Sequence, residues 1–519
     1  MAIMQSNNAA PAALQERLRI WLPHGRHLMW LIILIGLAIR LPLLSAPLTY
    51  ASDIWRQADT ASIAHNMSGN LRGIFYPQID WGGTGPGYVE TEFQLYTFLV
   101  SLLYTLFGEQ LWLGRLVSLI FTFATMIVFS LLAQRILKRP AAGWALAFFA
   151  LSPLYIRYSV AYMPEATVLF FYVTALYLFC RWLDEQTRLT LLLAACATGL
   201  AILVKPTSIH IVLIFVLLTM HRHGWRTLKR WDIWGAVFLS LLPAVLYFTH
   251  ARNLYLQYGN TFGLLSGGDS KFPHPSALLS PGLYIALLRL ETKWLFGSAG
   301  VLLYVIGLGV ALKRRQPMLV VFAAITISVY YLIVARYARE EWGIQYHIYA
   351  IPFAALGMAL GTNWLLRQRP RLLMRVLVAG ALLSVLVASV YVYRGMLQNE
   401  GNGQIACAMT MAQLVPVDAH VIISSTALSV EDGIPNNYQD PVLFFYSHRY
   451  GWSLAADQHT SDKVAALRAD GAEYFIIYSE ELYGAHPDFA AYLRANTEQI
   501  GPGITAGCGI YRFSTTPAS

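Results

Sequence analysis

From residue 28 to residue 393 the chain alternates long apolar runs with polar breaks, most of them short, and beyond that the rhythm changes. A run of about 20 apolar residues matches the hydrocarbon core of a bilayer and is predicted to span it as a helix. The runs are 28–47, 113–136, 144–162, 166–183, 189–204, 208–220, 233–249, 294–312, 318–335, 347–366 and 372–393, about eleven spans. Residues 93–107 are apolar too, but the run is short and counting it as a span would put the basic segment Arg135 to Arg139 outside. It is predicted to be a re-entrant or interfacial helix. From residue 394 the spacing is that of a soluble fold: 420–424, 474–478 and 509–513 read as strands, 462–469 and 487–496 as helices. The expected architecture is therefore a polytopic α-helical membrane protein with a small C-terminal α/β domain. Its parts are a cytoplasmic N-terminus (1–27), a transmembrane domain (28–393) and an extracytoplasmic domain (394–519).

Charge orients these spans. Arg17, Arg19 and Arg26 precede the first span and hold the N-terminus inside; Lys138-Arg139, the 221–230 loop and Lys313-Arg314-Arg315 fall on the same side. The first loop (48–112), the 251–293 loop and the tail then share the outer side. A cleavable signal peptide is the rival reading of 28–47, but the run is long for one. Arg40, deep within it, is expected to face the protein interior or a wet cavity, not lipid.

Composition agrees: 56% of residues are hydrophobic and 13% charged, where a soluble protein carries about a quarter charged. The net charge of +9 follows from the basic inner loops and carries no nucleic-acid footprint. Fourteen Trp and thirty Tyr suit interfacial belts. Cys180 and Cys196 lie in apolar runs; Cys407 and Cys508 lie in the tail and are candidates for a disulfide on an oxidising side.

The first loop is where chemistry concentrates. It carries Asp53, Asp59, Asp80, Glu90 and Glu92, with Arg56, His65 and Arg72 among them. Residues 55–67 are amphipathic and suit a helix lying in the interface plane. Asp53 stands just past the first span, as a candidate catalytic base or, more plainly, a helix cap or a partner of Arg56. Glu165 opens a span, with Arg157 and Tyr158 about two turns earlier; Lys205 ends another, and Arg336, Arg339 and His347 bracket an outer turn. These cations share the depth of a lipid phosphate. The chain has no Walker loop, dinucleotide fingerprint, CxxC pair, HExxH helix or GxSxG elbow. The glycine-rich run 82–87 reads as a turn, and Asn66-Met67-Ser68 as a glycosylation sequon.

Four stretches together carry a resemblance: Ser52-Asp53 with WRQADTASIA after the first span, SPLYIRYSVAYMPE, GLAILVKPT and YHIYAIP. The chain resembles the GT-C superfamily of polyprenyl-phosphate-sugar-dependent glycosyltransferases, nearest the protein O-mannosyltransferase and lipid A aminoarabinose transferase branch. The resemblance implies that Asp53 is the general base and that Lys205 and His347 hold the donor phosphate; Arg157 and Arg336, by their depth, are further candidate cations. It places Glu165 at a second acidic position. Where many relatives have a Lys-Pro-Pro-Leu-Tyr-like motif this chain has Glu92-Phe93-Gln94-Leu95-Tyr96. The cation expected there is absent, which makes Glu90 and Glu92 candidates for acceptor or metal contacts; Glu165 and Asp59 are further candidates for the same contacts.

The implied reaction is inverting transfer of a sugar from a polyprenyl phosphate to a hydroxyl of a glycan, lipid or protein, at the outer face of a bacterial inner membrane. Use of a divalent metal stays open. A lipid-linked sugar flippase or transporter, an O-antigen ligase or polymerase, and a membrane scaffold are the rivals. A flippase would need charges through several mid-spans, and Arg40 is the main deep one.

Overall fold

The structure, a computed structural model, describes residues 23–48, 53–265, 267, 271–315, 317–398, 403–431 and 433–514. Arg17, Arg19 and Ser52 lie outside them. The chain is mostly helical, and every predicted span coincides with helix. Among the described residues six helices are long and apolar enough to cross a membrane: His27–Ser45, Leu111–Ile136, Glu165–Glu185, Trp231–Tyr258, Glu341–Leu365 and Arg371–Leu397. A seventh crossing arises if Pro281–Leu295 and Gly300–Arg314, bent by 102°, count as one. The other expected spans are shorter or broken. Arg188–Val204 and Met318–Ile333 have 17 and 16 residues, roughly 25 Å of helix against about 30 Å of hydrocarbon. Residues 144–162 divide into Arg139–Leu151 and Pro153–Tyr158.

Prolines set several breaks. Pro153 and Pro206 each occupy the first turn of the helix that follows, and the residue before a proline is pushed out of helical geometry. Backbone groups freed at a break need protein or water around them, not lipid. These breaks lie beside Arg157 and Lys205, both buried, so the interrupted spans and the ionic side chains fall together inside the protein.

Arg40 faces the interior, as expected. It donates to Ser159 Oγ at 2.7 Å, to the Gly36 carbonyl at 2.7 Å and to the Ala150 carbonyl at 2.8 Å, and it lies over the Tyr155 ring. The short 93–107 run forms Leu95–Phe107, 13 residues, about 20 Å and too short to cross.

The Ile54–Met67 helix corrects an expectation. It does not lie with one face on the membrane surface, because ten of its fourteen residues are buried. Ala58, Ala61 and Ala64 pack against Tyr96, Leu113, Tyr162, Val442 and Phe445, while Ile63 and Met67 join the core of the C-terminal unit around Trp81, Val421 and Ile476. Small side chains let neighbours approach from both sides, so the polar positions that suggested solvent are covered by protein.

The C-terminal unit is built on a five-stranded sheet ordered Tyr450–Leu454, His420–Ser424, Tyr474–Ile477, Gly509–Phe513, Thr497–Gln499. The first three strands pair in parallel and the last two antiparallel to their neighbours. The three predicted strands and both predicted helices are present. The 82–87 turn docks on this sheet: Gly83 N–H donates to the Gly451 carbonyl at 2.7 Å and Gly451 N–H to the Asp80 carbonyl at 3.0 Å. Gly83 has φ +73, and a Cβ there would meet the Trp452 indole at 2.6 Å, so glycine is required at this seam.

Cys407 and Cys508 form a disulfide between residues 101 apart, with Cα atoms 5.2 Å from each other. On the chain-entropy model a loop of this length confers about 4–5 kcal/mol. The Cys407→Ser, Cys508→Ser double variant is therefore expected to melt well below the oxidised parent in detergent, and to be insensitive to reductant. An unchanged melting temperature would show that the bond adds nothing.

Candidate active site

Helix phase decides which acids meet. Arg56 and Asp59 are three residues apart and share a face of the Ile54–Met67 helix, whereas Asp53 and Asp59 are six apart, about 240° around the axis. The Arg56–Asp59 face opens on a cavity of about 210 Å³. Trp81 and Glu92 wall it from the rest of the first loop, Glu165 and Lys205 from the ends of two helices, Lys271 from the 251–293 segment, and Gln345 and Tyr346 from the 3-10 stretch that precedes Ile351–Leu365. Asn437 and Gln439 of the C-terminal unit close it.

Charges in the cavity come as pairs. Arg56 is ion-paired with Glu92, and Lys205 with Glu165. Burial pushes the Glu92 carboxyl up, but Arg56 and then Lys205 outweigh burial and hold it at about 2. Arg56 also lies over the Phe262 ring, and the Lys205 ammonium sits 5.5 Å from the Tyr346 ring centre. Lys271 donates to the Gly263 carbonyl at 3.0 Å. Glu165 Oε2 and Gln345 Oε1 are buried acceptors with no hydrogen-bond partner among the described residues. Such acceptors suit incoming hydroxyl donors.

Asp59 differs from the other acids. Burial raises its carboxyl from the usual 3.8 to about 7, against the lowering effects of the Trp81 indole N–H, which donates at 3.0 Å, and of Arg56. A carboxyl poised near neutrality in a polar cavity has the properties of a general base.

Asp53 is placed otherwise than the sequence suggested. It is 4% exposed. Its Oδ2 accepts from Arg157 Nε at 2.8 Å and Nη2 at 2.7 Å, and its Oδ1 from the Tyr158 hydroxyl at 3.1 Å. It makes no side-chain cap bond and its partner is not Arg56. Asp53 and Arg157 border a separate, smaller space with Ala46, Pro47 and Met396, so neither lines the larger cavity. Arg157 is further held over the rings of Tyr158 and Trp294.

His347 is fully buried, with Nδ1 against Glu291 and Nε2 2.8 Å from the Ala338 carbonyl. Both ring nitrogens are engaged, and His347 does not line the cavity. Arg336 lies over Tyr337 outside the cavity lining. Glu90 sits in the short strand Val89–Glu90, parallel to Asn260–Thr261, and accepts from Thr261 Oγ1 at 2.6 Å. As metal ligands these acids fit poorly, because Glu92 and Glu165 are neutralised by cations and Glu90 is turned to Thr261. Asn66 donates to Asp80 and to the Gln78 carbonyl, which ties up the sequon amide. Lys271, Trp81 and Gln345 are missed; Lys271 and Trp81 come from irregular segments and Gln345 from a 3-10 stretch, where α-helix and strand periodicity give no signal.

A family model described as dolichyl-phosphate-mannose-protein mannosyltransferase matches residues 94–248. No curated protein matches the chain. Among solved structures, ArnT from Cupriavidus metallidurans bound to undecaprenyl phosphate superposes with a TM-score of 0.63 at 15% identity, covering 94% of this chain and 98% of that one. The Archaeoglobus fulgidus oligosaccharyltransferase tethered with an acceptor peptide gives 0.57 at 13% identity, covering 95% and 74%. The arabinofuranosyltransferase AftD from Mycobacteria gives 0.51 at 12% identity, covering 95% and 40%. The resemblance to the GT-C superfamily holds: this multi-pass membrane protein has the GT-C fold.

Proposed function

We propose that this GT-C-fold chain is an inverting glycosyltransferase that moves a sugar from a polyprenyl phosphate to an acceptor hydroxyl at the outer face of a bacterial inner membrane. One observation carries the reading. A single cavity, beside the first loop and the broken helix ends, gathers a near-neutral carboxyl, lysines and orphaned hydroxyl acceptors.

A phosphate leaves readily, so the site needs no strong acid. It needs a base for the acceptor proton, worth roughly 10²–10⁴-fold, and cations for charge growing on the departing phosphate. Asp59 takes the proton. Lys205, with Lys271, meets the phosphate, and Arg56 is held in place by Glu92. The free oxygen of Glu165 and Gln345 Oε1 accept from sugar hydroxyls. Attack opposite the leaving group inverts the anomeric carbon. The carrier's tail stays in the bilayer, while Asn437 and Gln439 bring the C-terminal unit to the acceptor side.

The resemblance leads to undecaprenyl or dolichyl phosphate as the probe: the ArnT structure holds the first and an Archaeoglobus fulgidus oligosaccharyltransferase structure the second. Lys205→Ala is expected to weaken binding of undecaprenyl phosphate about 10–100-fold, the worth of a hydrogen bond to a charged group. Binding measured in detergent checks it, and unchanged affinity would remove Lys205 from the phosphate site. Transfer by purified protein in micelles tests the class, since a flippase has no product there.

A further inference from the structure

Away from the cavity, three side chains from remote parts of the chain meet at the seam between the first loop and the C-terminal unit. His65 stands in the last turn of the Ile54–Met67 helix. Glu109 lies in the turn between Leu95–Phe107 and Leu111–Ile136. His448 closes the Val442–Ser447 helix in the left-handed region, at φ +52. We propose that His65, Glu109 and His448 form a binding site for a divalent transition metal, zinc in the first instance, that staples the C-terminal unit to the first loop.

The geometry is close to what such a site demands. One ligand atom from each residue lies within 4.8 Å of the other two. His65 Nδ1 is 2.7 Å from Glu109 Oε2, and the two imidazole rings are 4.9 Å apart between centres. Around a tetrahedral zinc with bonds near 2.0–2.2 Å, ligand atoms stand roughly 3.3–3.5 Å apart. Closing the set therefore takes shifts of about an ångström in the ligand atoms.

The seam is already fixed by other bonds. Gly451 N–H donates to the Asp80 carbonyl, and the Tyr450 hydroxyl to Asn66 Oδ1 at 3.2 Å. A metal would add to a formed interface rather than fold one. The side chains of His65 and Glu109 are 35% and 31% exposed, and His448 is exposed. An ion can thus enter, and water can fill the fourth position. Two imidazoles and one carboxylate select zinc and its transition-metal neighbours over magnesium or calcium, which prefer all-oxygen sites. The site does not use the cavity residues and does not rest on the transferase reading.

The test uses the full chain in detergent, stripped by chelator and titrated with zinc. One equivalent should bind in the micromolar range or tighter, and cobalt should give a visible d–d spectrum. His448→Asn keeps a residue that tolerates the left-handed backbone and removes the ligand. It should weaken zinc by at least about 10–100-fold, since the loss of even an outer-shell partner costs that much, and Glu109→Gln should weaken it too. Zinc should slow hydrogen exchange across residues 442–454 in the parent and not in His448→Asn. No binding at micromolar zinc would overturn the proposal. So would zinc held equally well by His448→Asn, which would place the ion elsewhere.

Discussion

Asp59→Asn should lower sugar transfer about 10²–10⁴-fold, the usual worth of a general base, without loss of folded protein. Asn keeps the volume and can still accept from the Trp81 indole. The parent's kcat/KM should rise with pH and level off above about 7, because the base works only when ionised and its carboxyl titrates near 7. The variant should lose that rising limb. Stability moves in the opposite sense. The carboxyl is raised in the folded state, so its contribution is fully present below about pH 4 and is lost as pH climbs to 7. Over that window the unfolded chain releases a proton that the folded one keeps. Asn carries no such term, and at pH 8 the variant should be more stable than the parent, by an amount on the order of a few kcal/mol. Thermal melts at pH 5 and pH 8 check this. A variant equally destabilised at both would mark Asp59 as structural.

Asp53→Asn should fail for another reason. It removes the charged partner of Arg157, whose guanidinium is almost wholly buried, and breaking a buried ion pair from one side costs about 3–5 kcal/mol. That is a large share of a total stability of about 5–15 kcal/mol. The expected result is a much lower melting temperature and poor yield. Adding Arg157→Met, which removes the stranded charge, should recover part of the loss. The coupling energy from the four melts measures the pair. A stable Asp53→Asn protein with no turnover would return the role of base to Asp53.

The contrast between these two aspartates shows how far the sequence reaches. It predicts an acid after the first span and cations at the same depth, because apolar run lengths fix depth. It could not fix azimuth. Asp53 and Asp59 differ by six residues, and which one faces the cavity depends on what packs on either side of the helix. That packing comes from the C-terminal unit, through Val442 and Phe445, hundreds of residues away. Pairing across distance was equally hidden: Arg56 meets Glu92, not Asp53, and Lys205 meets Glu165. Lys271 lies in an irregular segment where no spacing marks it. The strand Tyr450–Leu454 is missed although Tyr450, Trp452 and Leu454 alternate with Gly451 and Ser453; a Cβ at Gly451 would meet the Val421 carbonyl of the neighbouring strand, so glycine is what lets the two strands pair. Arg40, the Cys407–Cys508 bond and three strands of the sheet were legible, since each follows from local pattern or from the compartment.

The most direct test is a cryo-electron microscopy map of the full chain with undecaprenyl phosphate. The account predicts phosphate density inside the cavity, within hydrogen-bond reach of the Lys205 ammonium and on the same side as the Asp59 carboxylate. Phosphate held at the Asp53–Arg157 pair, or a lipid bound with the cavity empty, would contradict it.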